Sequence, residues 1–283
     1  MLFRSALRPK PARRLPSLRS FFGGGKKTET LDGFNIIDGE LVPISPRIFK
    51  DQPRRLMRVF LHAQQRGLEF HPDLTQLLRD NVSLVDDDFV HDTENHETFL
   101  EILNQRGNVA PALRAMHEVD LLGRYIPEFG RMTCLVQHEF FHAYAADEHT
   151  LVCLEKLDQI WDADKPPFAH YTHILQDINL PYLLYLALFL HDAGKGMESG
   201  DHVKDGTAVA LKVGERLGLT PRRLGRLQFL VEHHLLMAET SQRRDIDSPT
   251  VIRQFAETVQ DEENLAMLTL LTFADSQIGR AHV

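Results

Sequence analysis

Cysteine is scarce: only Cys134 and Cys153 occur in 283 residues, with no CxxC pairing. That excludes a disulfide-built scaffold and a cysteine-paired zinc motif, and it suits a reducing, cytoplasmic setting. No apolar run is long. The longest, Leu180 to Leu190, falls well short of the roughly 20 residues that span a bilayer, so it predicts a buried helix and no membrane partner. Positive charge is also in deficit, with 32 Lys and Arg against 40 Asp and Glu, a net charge of −8. Eight of those basic residues (Arg4, Arg8, Lys10, Arg13, Arg14, Arg19, Lys26, Lys27) fall within residues 1–27, which hold no acid, leaving 24 − 40 = −16 for the rest. So acidic a body argues against a nucleic-acid-binding surface, which needs clustered Lys and Arg. The basic stretch itself, broken by Pro9, Pro11, Pro16 and Gly23 to Gly25, reads as a solvated linker rather than a transit peptide or a nucleic-acid arm. What remains is 43% hydrophobic and 25% charged, the mix of a globular protein.

The periodicity predicts an all-α body. Leu56, Val59, Phe60 and Ala63 follow the i, i+3, i+4, i+7 rule, as do Leu74, Leu77 and Leu78, and Phe99, Ile102 and Leu103 form another stripe. Further helices are expected near 108–119, 132–143, 148–161, 181–191, 206–217, 221–236, 249–258 and 262–276. Pro181, Pro221 and Pro249 stand at first-turn positions, where the missing N–H costs nothing. Ahead of them, Gly33 to Val42 reads as a short hairpin turning at Asp38-Gly39. These signals divide the chain into a basic linker and hairpin (1–45), a helical linker region (46–130), a larger helical unit (131–277) and a short tail (278–283). Met1 to Ser5 and Ile278 to Val283 resemble a translated sequencing-library adapter, so the expectation is a gene fragment cut at both ends.

Histidine is plentiful, with 15 residues, and the sharpest motif is His191-Asp192-Ala193-Gly194-Lys195-Gly196 at the end of the apolar helix. Adjacent His and Asp at a helix end can turn toward one ion, with Gly194 and Gly196 relaxing the backbone around them. Candidate partners are His149 just inside a helix capped by Asp147, His202, the pair His233-His234, and Asp275. Any one of these is more often a core or surface side chain; their combination points to a divalent metal. Mixed imidazole and carboxylate ligation suits Mn²⁺, Fe²⁺ or Zn²⁺, with Mg²⁺ if carboxylates and water dominate.

Three other motifs compete. His138-Glu139-Phe-Phe-His142 fits the HExxH pattern of zinc proteases, but it lacks a clear third ligand beyond Glu148 or His149. Gly23 to Thr28 has phosphate-loop flavour without the required spacing. Asp86-Asp87-Asp88 contains an Asp-x-Asp like that of nucleotidyltransferases, but it precedes a helical region and reads as a solvated acidic turn.

The constellation His149, His191-Asp192, Asp275 resembles the HD superfamily of metal-dependent phosphohydrolases. Four blocks together extend the resemblance: Gln137 to Thr150, Leu188 to Gly196, Val231 to Met237, and Leu271 to Asp275. They are similar to the bifunctional uridylyltransferase/uridylyl-removing enzymes that modify the PII nitrogen-signalling protein. The resemblance implies an HD-domain helical bundle and hydrolysis of the phosphodiester joining UMP to a PII tyrosine. It places one divalent ion on His149, His191, Asp192 and Asp275, with Mg²⁺ or Mn²⁺ foremost and Fe²⁺ or Zn²⁺ as alternatives. A second ion would use His202, His233 and His234. Asp192 would also orient a water, and Lys195 would offer its ammonium to a phosphoryl oxygen. Members with three metals carry a Glu where this sequence has Ala145, so a third ion is not implied. The transferase site would lie upstream and glutamine-sensing ACT domains downstream. Two alternatives stay open: a stand-alone HD phosphodiesterase acting on small nucleotides, and a non-catalytic HD regulatory module.

Overall fold

Two Asp-Gly pairs shape the N-terminal sheet. Asp32 and Gly33 (φ 46° and 86°), then Asp38 and Gly39 (φ 53° and 88°), are all left-handed, as a tight two-residue hairpin turn requires. They join β1 (Glu29–Leu31), β2 (Phe34–Ile37) and β3 (Glu40–Pro43) into an antiparallel meander, and β4 (Glu69–Phe70) adds in parallel beside β3. The hairpin expected at Asp38-Gly39 is therefore the centre of a four-stranded sheet. The computed structural model describes residues 29–133, 145–197 and 201–279. The basic N-terminal stretch, the His138–His142 motif and the last four residues lie outside them, as does nearly all of the helix expected at 132–143.

The first helices build a platform: α1 (Ile48–Asp51), α2 (Arg55–Arg66), α3 (Pro72–Asn81), α4 (Asp87–Val90), α5 (Thr93–Leu103), α6 (Val109–Glu118), α7 (Leu121–Tyr125) and α8 (Pro127–Gly130). Asp32 in the first hairpin turn anchors the sheet to α2, accepting from Arg55 Nε at 3.1 Å and Arg58 Nη2 at 3.0 Å, with His62 Nε2 at 3.3 Å. The acidic run opens a helix, as its solvated-turn reading expects. Asp86 caps α4 by accepting the Phe89 N–H at 3.0 Å, and Asp87 and Asp88 are exposed in its first turn.

The second set carries the chemistry: α9 (Ala146–Asp158), α10 (Thr172–Asp177), α11 (Pro181–Leu190), α12 (His202–Arg216), α13 (Pro221–Glu232), α14 (Leu236–Arg243), α15 (Pro249–Val259) and α16 (Glu262–Gly279). All ten residues of α11 are buried. A helix apolar on every side belongs at the centre of a bundle, and α5, α9, α12, α13 and α16 pack around it. Pro181, Pro221 and Pro249 open their helices as expected.

Three boundaries move. The helix expected to end at residue 236 stops at Glu232 and resumes at Leu236, turning at His233-His234. The one expected from 206 starts at His202, capped by Asp201, which accepts the Lys204 N–H at 3.1 Å. Asp147 is not the cap of α9 but a buried first-turn residue, 3.4 Å from His117 Nε2.

Both sets share one core, continuous from Phe34 to Ala274. Polar pins cross it as well. Asp158 on α9 accepts the Ala110 N–H and the Tyr185 hydroxyl, each at 2.7 Å, and Tyr185 accepts the Gly107 N–H at 3.1 Å. Glu128 receives both terminal nitrogens of Arg216 at 3.1 and 3.0 Å.

Candidate metal centre

Where α11 ends, its last turn delivers His191 and Asp192 into the middle of the bundle, 2% and 7% exposed. His191 caps the helix, and its Nδ1 lies 2.7 Å from the Leu188 carbonyl. That contact makes Nδ1 a donor and turns Nε2 toward the carboxylates, the orientation metal-ligating histidines use. Nε2 is buried with no hydrogen-bond partner. The nearest carboxylate oxygens stand off at 3.4 Å (Asp192 Oδ2) and 3.7 Å (Asp275 Oδ1).

Two other helices supply the rest. His149, in the first turns of α9, places Nε2 3.1 Å from Asp275 Oδ1 and 3.6 Å from Asp192 Oδ2. Asp275 comes from the last turns of α16. The side chains expected to converge thus do so from three helices. The glycine of the motif works differently from its expected role. Gly194 is not among the positive-φ glycines. Instead, a Cβ there would lie 2.0 Å from the His202 carbonyl oxygen and 2.5 Å from the Gly206 nitrogen. The missing side chain lets α12 press its backbone onto the turn at Ala193–Gly196.

Around this cluster opens a cavity of about 580 Å³, lined by the four residues together with Lys195, Asp201, His202, Val203, His234 and Leu235. His234 repeats the pattern of His191: its Nδ1 is 2.7 Å from the Val231 carbonyl, and its ring centre is 5.4 Å from that of His191. His233 does not join it. Its ring packs 5.1 Å from Phe229 and lines a separate cavity with Arg226 and Glu232. Neighbouring side chains at a helix end diverge by about 100°, so only one of the pair can face the cluster. Lys195 reaches inward, its Nζ 2.9 Å from Asp192 Oδ2.

The electrostatics favour a cation. Burial alone would strip His191 of its proton, yet Asp192 and Asp275 overcome it and push its pKa up to about 9. Burial works against the Asp192 carboxylate too, but His191 and Lys195 hold it below its ordinary range. Asp275 is held well below by His149 and His191 in the same contest. Farther out, burial and the charge on His191 lower the pKa of His234. Two carboxylates that stay ionised beside two imidazoles, whose Nε2 protons a bound ion would displace, match a divalent cation in charge and donor type. His191 Nε2 is among the buried polar atoms without a hydrogen-bond partner, and it belongs to this cluster, where a bound ion would satisfy it.

Sequence reasoning missed Cys153, whose Sγ lies 3.5 Å from His149 Nε2. The signal was the i, i+4 spacing from His149, which puts both side chains on one face of α9. Asp201, on the cavity wall as the cap of α12, was missed because only the structure brings that helix start to the site.

Comparison with known proteins agrees with the sequence resemblance. Residues 34–125 match the family model described as the uridylyltransferase GlnD third domain. The bifunctional uridylyltransferase/uridylyl-removing enzyme of Cereibacter sphaeroides is 35% identical over 277 residues, covering 97% of this chain and 29% of its own length. The enzymes of the same name from Ruegeria pomeroyi and Nitrosococcus oceani are 37% and 40% identical, each over 86% of this chain and 27% of their own. The chain thus spans under a third of the length of these relatives. Among solved structures, a CCA-adding enzyme in its apo form I superposes with a TM-score of 0.54 at 14% identity, over 85% of this chain and 48% of that one. The Thermotoga maritima CCA-adding enzyme complexed with tRNA gives 0.52 at 14%, over 85% and 50%. At such identity the likeness is one of fold alone. By its sequence over nearly its whole length, the chain belongs to the bifunctional uridylyltransferase/uridylyl-removing enzyme family.

Proposed function

We propose that the helical unit at 131–277 is a metal-dependent phosphodiesterase that removes UMP from the uridylylated PII protein. One observation carries this reading: His149, His191, Asp192 and Asp275, from three helices, meet with nitrogen-to-oxygen distances of 3.1–3.7 Å. The word uridylyl-removing in the relatives' names supports the direction of the reaction.

His149, His191, Asp192 and Asp275 would hold one divalent ion. Such an ion lowers the pKa of a water toward neutrality and polarises a phosphoryl oxygen. The chain's own groups supply the rest. Asp192 has a second carboxylate oxygen with which to orient the attacking water. Lys195 pairs with Asp192 in the absence of substrate and lies on the cavity wall, within a side-chain rotation of an incoming phosphate. His202 and His234, on the same wall, are placed to meet the phosphate's remaining oxygens. A second ion, if one binds, would have His202 and His234 for its imidazoles and not His233.

The test is hydrolysis of uridylylated PII by the purified chain with Mn²⁺, Mg²⁺ or Zn²⁺ added, run beside a panel of small nucleotides. Release of UMP that stops on chelation is expected. Turnover of the nucleotides alone would make it a stand-alone phosphodiesterase, and bound metal without hydrolysis would make it a regulatory module.

A further inference from the structure

Cys153 sits one turn after His149 on α9, fully buried, and the reaction above makes no use of it. Its Sγ is 3.5 Å from His149 Nε2 and 3.9 Å from Asp275 Oδ1. Cys153, His149, His191 and Asp275 each offer one donor atom, all within 4.8 Å of one another. A tetrahedral centre with three bonds of about 2.0 Å to nitrogen or oxygen and one of 2.3 Å to sulfur has edges of roughly 3.3–3.5 Å. Four of the six separations here, 3.1 Å (His149 to Asp275), 3.5 and 3.9 Å (to the sulfur) and 3.7 Å (His191 to Asp275), scatter around that range, and the other two lie within 4.8 Å. A second observation points to the same spot: His191 Nε2 is buried, unpartnered and belongs to the same cluster. A residue needed only to fill space here could be valine, with no sulfur turned toward a carboxylate.

We infer that Cys153 is a metal ligand, completing a four-donor set of two imidazoles, one carboxylate and one sulfur. The centre therefore selects a thiophilic divalent metal such as Zn²⁺, Fe²⁺ or Co²⁺ over Mg²⁺. Soft thiolate donors favour those ions, whereas Mg²⁺ prefers oxygen. On binding, the thiol proton leaves to solvent and the sulfur lone pair forms the bond to the metal. Asp192, a ligand in the function proposed above, becomes the fifth donor beside these four, its Oδ2 3.6 Å from His149 Nε2 and 3.4 Å from His191 Nε2. That order differs from the expectation of Mg²⁺ or Mn²⁺ foremost. The inference rests on the metal part of the function proposed above and not on its substrate.

Cobalt titration of the full chain, followed by absorption, separates the two. The wild type is expected to develop visible cobalt bands together with a near-ultraviolet sulfur-to-cobalt band, saturating together. Cys153→Ser and Cys153→Val should lose the near-ultraviolet band, keep the visible ones, and bind Co²⁺ at least ~10-fold more weakly. Cys134→Ser should keep both, and the wild type should release one more proton per metal than Cys153→Val. Visible bands that His191→Ala abolishes, with no near-ultraviolet band in the wild type, would overturn the role of Cys153 and leave the metal centre standing. No cobalt spectrum at all would remove both.

Discussion

Between residues 29 and 133, charges meet at or near the surface and find partners: Asp32 gathers Arg55 and Arg58 beside His62, and Arg54 reaches Asp92 and Glu94. Around the end of α11 the chain instead sets one buried and one half-buried carboxylate against two buried imidazoles and leaves His191 Nε2 without a hydrogen-bond partner. The first arrangement ties a sheet to a helix. The second gives up stability for a pocket that a cation can complete, because an unpaired buried polar group costs about 1–3 kcal/mol. The matched GlnD third-domain model covers 34–125, while the candidate chemistry sits at 149–275. Scaffold and site are recognisable by different signals.

Substitutions should break this contrast in order of size. His191→Ala is expected to lower metal-dependent hydrolysis at least ~100-fold, the upper end of what losing even an outer partner of a metal site costs. The loss should remain at temperatures where circular dichroism shows the variant folded, although the change also removes a buried ring bonded to the Leu188 carbonyl; activity recovered in the folded variant would make His191 a packing residue. Gly194→Ala should strike both properties, since its Cβ would meet the His202 carbonyl. About 1–3 kcal/mol of destabilisation is expected from such overpacking, read by urea unfolding. Asp32→Ala should do the opposite of His191→Ala, losing about 1–2 kcal/mol of stability with turnover unchanged at low temperature.

A smaller effect depends on pH. Burial raises the pKa of Asp158 to about 6, against the opposing hydrogen bonds from Tyr185 and Ala110. A free Asp ionises near ~3.9, so the folded protein holds this proton more tightly than the unfolded chain does. The stability it contributes is present below about pH 4 and is lost as pH rises through about 6, by roughly 3 kcal/mol at most. Asp158→Asn cannot ionise, so its unfolding free energy should gain on the wild type between those limits. Parallel pH profiles would show that Asp158 does not titrate there.

How much could be read from the chain alone follows from the same physics. Periodicity and proline placement located α11, α13 and α15 because those signals are local. The candidate ligand set was legible through resemblance, since no local rule links positions 149 and 275. What escaped depended on side-chain direction or on close approach. His233 and His234 are equal in sequence, yet only one faces the cavity. Gly194 looked like backbone freedom and proved to be a contact between backbones. Asp32-Gly33 carried the same turn signal as Asp38-Gly39, but the strand before it is three residues long and shows no alternation.

The central claim is that four side chains drawn from three helices grip one divalent cation. A crystal soaked in Zn²⁺ or Mn²⁺ and measured at the metal's absorption edge tests it most directly. One strong anomalous peak is expected within bonding distance of His149 Nε2, His191 Nε2 and the Asp192 and Asp275 carboxylates. A peak elsewhere, or none at that point in a metal-loaded crystal, would contradict it.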